Sequence, residues 1–210
     1  MIGRRVLLLA PLAGPARAAV PGTGRLAFQV RRNGSPVGTH VLEFTSSGEE
    51  LRVSVAVDIA VGLGPIVLFR YRLRGTEVWR GGRFQQADFT TNNDGKPAFM
   101  RARRTAEGVA VEGSDGPAYL APPDALPATH WNPAEHDAPM VNPQDGKLFN
   151  PVVARTDLVP MPLPDGTTLP ARRFSLTGEP EMQLWYDAAD TWCALRAPGK
   201  DGSAITYHRT

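Results

Sequence analysis

Between Leu51 and Val61 every second residue is large and apolar: Leu51, Val53, Val55, Val57, Ile59 and Val61 alternate with Arg52, Ser54, Ala56, Asp58 and Ala60. Successive side chains of a strand point to opposite faces, so a period of two describes a long strand with one buried and one solvated face. A helix would scatter the same residues around its axis. The pattern recurs along the chain. Leu26, Phe28 and Val30 alternate with Arg25, Ala27, Gln29 and Arg31, while Val67, Phe69, Tyr71 and Leu73 oppose Arg70, Arg72 and Arg74. Further strands are expected at Val37 to Thr45, Glu77 to Trp79, Phe84 to Thr91, Ala98 to Thr105, Lys147 to Arg155, Leu169 to Leu176, Met182 to Asp187, Trp192 to Arg196 and Ala204 to His208.

The links between these runs are short and turn-forming: Asn33-Gly34-Ser35-Pro36, Gly81-Gly82, Asn93-Asp94-Gly95 and Asp165-Gly166. Such pairs favour tight reversal at positive φ, so sequential strands pair antiparallel. With 21 Gly and 20 Pro against long helices, the expected fold is all-β. It is a single antiparallel, highly curved sheet or half-open β-barrel, because a sheet of many strands curls to manage its edges. From Pro117 to Pro143 the alternation stops, and Pro122-Pro123, Pro127, Pro133 and Pro139 exclude a central strand or a long regular helix. A loop of that length in a compact domain is usually functional or packed as a lid or plug. It is therefore expected to pack on the sheet, across its mouth or interior.

Residues 1–18 have the form of an export signal: Arg4 and Arg5, the apolar run Val6 to Ala10, and Ala16-Arg17-Ala18 before the expected cleavage point. Residues 19–210 then form one β domain, placed in the periplasm or outside the cell. Arg4-Arg5 is compatible with twin-arginine as well as general secretion. Losing Arg4, Arg5 and Arg17 takes the 23 basic residues to 20 against 21 acidic, a net of −1. A chain near neutrality offers no electrostatic footprint for nucleic acid. No apolar stretch reaches the roughly 20 residues of a transmembrane helix. The single cysteine, Cys193, sits among apolar neighbours and reads as a small buried side chain.

Several short motifs follow one another in order: Gly34-x-x-x-Gly38-x-His40, Glu77-Val78-Trp79-Arg80-Gly81-Gly82-Arg83, His130-Trp131-Asn132, Leu184-Trp185-Tyr186-Asp187 and Asp201-Gly202-Ser203-x-Ile205-x-Tyr207. Together they resemble the exported bacterial family known as domain of unknown function 6134, over essentially the whole chain after the signal. The resemblance implies an open barrel around an apolar groove. It implies no catalytic or ligand residue.

Read for chemistry, the chain has no G-x-S-x-G elbow, no H-E-x-x-H, no C-x-x-C and no phosphate-binding glycine loop, so no catalytic residue and no cofactor is assigned. His130, Glu135, His136 and Asp137 lie close in sequence without a recognised ligand spacing, and no metal is assigned. The arginines at alternate strand positions read as a solvated outer face that also discourages edge pairing. Trp79, Trp131, Trp185 and Tyr186 are the candidate ligand-binding residues, since aromatic side chains facing the inside of a curved sheet either fill it or line a cavity. The leading expectation is a binding or carrier module for an apolar or amphipathic small molecule. The alternatives are an envelope protein-interaction module with a packed barrel and a hydrolase using His130 or His136.

Overall fold

The computed structural model describes residues 20–63, 66–163 and 166–210, so residues 1–18, where an export signal is expected, lie outside the described residues. The strands are β1 (Arg25–Arg32), β2 (Ser35–Ser47), β3 (Glu50–Leu63), β4 (Ile66–Arg80), β5 (Arg83–Asn93), β6 (Lys96–Arg104), β7 (Val109–Gly113) and β8 (Gly116–Ala121). Three two-residue strands follow, β9 (Leu126–Pro127), β10 (Met140–Val141) and β11 (Leu148–Phe149), with a single 3-10 turn at Pro133–Asp137 between β9 and β10. The chain closes with β12 (Val152–Pro162), β13 (Thr168–Thr177), β14 (Met182–Asp187), β15 (Trp192–Pro198) and β16 (Ala204–Arg209).

Thirteen of these strands make one antiparallel sheet in the order β12-β13-β14-β15-β16-β1-β2-β3-β4-β5-β6-β7-β8. Every step is sequential except β16 to β1, where the end of the chain pairs with its beginning, Val30 opposite Tyr207. The end strands β8 and β12 do not pair, so the sheet curls without closing into a barrel. Its curl is evident in the core: Trp79 of β4, Phe89 of β5, Phe174 of β13 and Tyr186 of β14 belong to one buried cluster although they lie on distant strands.

The Pro-rich segment fills the inside of the curl. Ala125, Ala128, Trp131, Met140 and Val141 are buried in the same cluster as the inward-facing strand residues, and β9, β10 and β11 form a small sheet of their own. Two boundaries differ from expectation. Strand pairing persists through Pro117 to Ala121, because β8 is an end strand and Pro117 removes no donor that the ladder needs. The run expected from Lys147 to Arg155 is divided between β11 and β12, and β12 continues to Pro162, again as an end strand that tolerates Pro160 and Pro162.

The turns divide the molecule into two ends. At the upper end β1 turns into β2 through Asn33 (φ 48°) and Gly34 (φ 83°), the two positive φ angles of a tight hairpin, and β5 turns into β6 through Asp94 and Gly95. The lower half is packed solid by Phe28, Leu42, Phe44, Val53, Trp79, Phe84, Trp131 and Trp192. The β3–β4 hairpin overshoots the upper end. Gly38–Ile59 is the last pair between β2 and β3, and Tyr71–Asn93 the last between β4 and β5; beyond them Arg70 still bonds Asp94 of the β5–β6 turn, and the described ladder pairs farther out join β3 to β4 alone. Ile66 and Leu68 on this ribbon are 63% and 66% exposed.

Candidate functional site

Above the packed lower half, the sheet encloses a cavity of about 810 Å³ that opens at the upper end. Its walls come from inward positions of the central strands: Val30 of β1, Val55, Val57 and Ile59 of β3, Phe69 and Leu73 of β4, and Leu195 and Ala197 of β15. Arg32, Lys200 and Asp201 lie at the rim, where Arg32 pairs with Asp201 and also donates to Ser203 Oγ. The floor is made by Ala128, Thr129 and His130 of the Pro-rich segment together with His40 and Tyr207.

His130 is held more firmly than any other polar group there. Its φ is +69°, a conformation that a residue with a Cβ adopts only when its surroundings impose it. Three bonds do so. The Glu135 carboxylate accepts the His130 backbone N–H at 2.9 Å and faces Nδ1 at 2.6 Å, and the Tyr186 hydroxyl donates to the His130 carbonyl at 2.8 Å. Glu135 is 1% exposed and belongs to the 3-10 turn, whose start is capped by Asn132 accepting from the Ala134 N–H. Because the carboxylate can only accept, Nδ1 carries the proton and the lone pair of a neutral ring lies on Nε2. Among the described residues no hydrogen bond is made to that nitrogen, and the ring lines the cavity.

His136 stabilises the arrangement from behind. Tyr186 Oη gives its proton to the His130 carbonyl, so His136 Nε2, 2.9 Å from Oη, is the donor in that contact. Burial holds the His136 imidazole down at about 4 and pushes the Tyr186 hydroxyl well above its ordinary value. His40 is 6% exposed between the rings of Phe28, Trp192 and Tyr207. Neither of its nitrogens has a protein partner, and burial, reinforced by nearby His130, lowers it to about 3. Such a ring is uncharged at any physiological pH.

Beneath the floor is a buried carboxyl, Glu77, with no exposure. It accepts the indole N–H of Trp79 at 2.7 Å, that of Trp131 at 3.0 Å and the Thr129 hydroxyl. Burial raises it to about 7 against the opposing pull of these three donors. The Glu77 and His130-Trp131-Asn132 motifs therefore meet at one carboxyl, and the latter also meets the Leu184-Trp185-Tyr186-Asp187 motif where Tyr186 reaches His130. The first motif has a steric basis: a Cβ at Gly38 would lie 2.0 Å from the Asp58 carbonyl oxygen.

The four aromatic candidates sit as follows. Trp79 and Trp131 flank Glu77 in the packed core, and Tyr186, also fully buried, holds His130. Trp185 is half-buried on the opposite face of β14 from Leu184 and Tyr186, against Met161, Cys193 and Ala194. None of the four lines the cavity. Tyr186 acts on it through His130, and Trp79 and Trp131 through the floor. The residues that do face it, His40 and His130 with Val57 and Phe69, were readable only as strand interior or loop.

Among the described residues, no three His, Cys, Asp or Glu side chains converge to hold a metal ion. No Ser, Thr or Cys is hydrogen-bonded to His130 Nε2, and the adjacent Thr129 hydroxyl is committed to Glu77. Cys193 is buried, its thiol pushed up to about 11 by burial. The arginine rows face solvent, with Arg72 and Arg74 paired to Asp58 and Arg101 and Arg103 near Asp88.

Residues 28–210 match the family described as Domain of unknown function (DUF6134). The chain belongs to the DUF6134 family. No curated protein is detectably similar to it. Among solved structures, this DUF6134 chain is similar in fold to the crystal structure of a beta-barrel-like protein of Domain of Unknown Function DUF1849 from Brucella abortus. The two share 8% identity over 89% of this chain and 95% of that one, with a TM-score of 0.59. Likeness at that identity concerns the path of the backbone. The His130–Glu135 pair and its cavity rest on this chain's own residues. No described helix is long and apolar enough to cross a membrane.

Proposed function

We propose that this DUF6134 protein is exported to the periplasm or beyond and there binds or carries an amphipathic small molecule, with its apolar part inside the curled sheet. The observation that carries this reading is the cavity of about 810 Å³, whose walls are mainly Val, Ile, Leu and Phe with a small number of polar side chains among them. Binding sites for small molecules have this volume and this division between apolar wall and few convergent polar groups. Burying an alkyl chain stabilises the complex by about 0.8 kcal/mol per methylene, so ten carbons in the cavity contribute about 8 kcal/mol to set against the cost of association.

Protein purified gently from its native host, examined by native mass spectrometry and solvent extraction, should carry such a molecule. Stripped protein should take up the neutral fluorophore N-phenyl-1-naphthylamine, and Ile59→Trp, which fills the cavity from β3, should not. Uptake unaffected by Ile59→Trp would move binding elsewhere. A second reading, an interaction module, is favoured by the ribbon that exposes Ile66 and Leu68. Its test is whether changing both to Ser abolishes capture of a defined envelope partner while leaving fluorophore uptake intact.

A further inference from the structure

Resting on that reading, we infer that the ligand's buried polar group is an uncharged hydrogen-bond donor, a hydroxyl, that enters first and is received by His130 Nε2. The cavity floor has a defined polarity. Glu135 accepts the hydrogen bond of His130 Nδ1–H, so the neutral ring presents an acceptor, Nε2, to the cavity. The bonds from Glu135 and Tyr186 fix the ring's place at a strained φ, the kind of strain that persists where surroundings over-determine it. Beside it in the floor, His40 is buried with both nitrogens unpartnered, a second imidazole ring.

Charge decides against ionic head groups at this depth. A carboxylate would approach the buried carboxyls of Glu135 and Glu77, and the cavity's cationic side chains, Arg32 and Lys200, line its upper rim. An ammonium brings three donors to a floor where the two neutral imidazoles offer one lone pair each, and it would leave at least one donor unsatisfied, which costs more than a hydroxyl does. A ketone or ester carbonyl opposes its oxygen to the Nε2 lone pair. A hydroxyl satisfies that lone pair with its one proton.

The experiment measures displacement of N-phenyl-1-naphthylamine from the full protein by four probes of equal chain length: 1-decanol, 2-decanone, decanoate and decylammonium. Decanol should displace at about tenfold lower concentration than decanone, the effect of one neutral hydrogen bond made or opposed. The decisive variant is Glu135→Gln. Its carboxamide oxygen can keep the His130 backbone N–H while its NH2 donates to Nδ1, which moves the ring proton to Nε2 and turns the floor from acceptor to donor. Decanone should then bind as well as decanol or better.

His130→Asn, a residue at ease with positive φ, is the second variant and should lose the preference for decanol while still taking up the fluorophore. Equal binding of decanol and decanone by the wild type, a preference for decanoate or decylammonium, or an unchanged preference in folded Glu135→Gln would overturn the inference. So would an unchanged preference in His130→Asn if Glu135→Gln does not fold. Should the wild type bind neither fluorophore nor any probe, the carrier reading itself fails, an outcome distinct from binding without preference.

Discussion

Glu77 shows how one residue couples the floor of the cavity to stability. Its folded pKa of about 7 lies above the ordinary 4.5 because burial outweighs the three donors around it. A carboxyl raised in this way contributes stability that is full below about 4.5 and is lost as pH rises through about 7. His40 and His136 act oppositely. Their folded values of about 3 and about 4 lie below 6.5, so their contribution is present above 6.5 and lost as pH falls. The comparison that isolates Glu77 is with Glu77→Gln, which can accept both indole N–H groups on its oxygen and donate its amide to Thr129. Urea unfolding from pH 4.5 to 7.5 should show the wild type losing stability relative to Glu77→Gln as pH rises, and parallel curves would refute the shift. Glu77→Leu should cost more at every pH, since each buried indole N–H left without an acceptor costs about 1–3 kcal/mol. The place of Glu77 was half legible in the sequence: it shares parity with Leu73 and Trp79, the inward side of β4. What it bonds to was not, because Thr129 and Trp131 lie more than 50 residues away and only the fold brings them to it.

At the scale of elements, alternation was a sufficient guide to the central strands, since a period of two with one buried face fixes both the strand and its register. It gave no purchase on the Pro-rich segment, whose burial comes from being wrapped by the sheet and leaves no period. Nor could it distinguish a packed interior from a hollow one, which is why Trp79 could be read as lining when it is packed core beneath the floor. Gly75 marks the tightest place on β4, where a Cβ would fall 2.1 Å from the Phe89 ring. Gly75→Ala should destabilise by about 1–3 kcal/mol, the range for overpacking a core, as read by thermal or urea unfolding. The β3–β4 ribbon is the opposite case. Ile66 and Leu68 are exposed on the end of β4 that lies beyond its last pair with β5, so the double change to Ser should alter stability by no more than about 0.5 kcal/mol. It should also reduce self-association in sedimentation at high concentration, since exposed apolar strands promote edge contacts.

At the scale of the molecule, an open sheet needs something to hold its two limbs. β8 and β12 leave a seam, and the chain between them bridges it: the Tyr119 hydroxyl of β8 donates to the Gly146 carbonyl at 2.7 Å, while Asp137 of the Pro-rich segment pairs with Arg155 of β12. Trp131 is central to that bridge. Its ring meets Phe44 at 5.4 Å and Trp79 at 5.3 Å on one limb, and the adjacent His130 is bound to Tyr186 on the other. Trp131→Ala should therefore cost about 3–5 kcal/mol, the usual loss for a buried aromatic, and should lower hydrogen-exchange protection in β2 and β4 as well as in β13 and β14. The unfolding transition should stay single, because the segment makes the limbs one cooperative unit. Protection lost in β2 and β4 alone, or a second transition, would show that the limbs hold their shape without the segment between them, and that the cavity's form is set by the sheet.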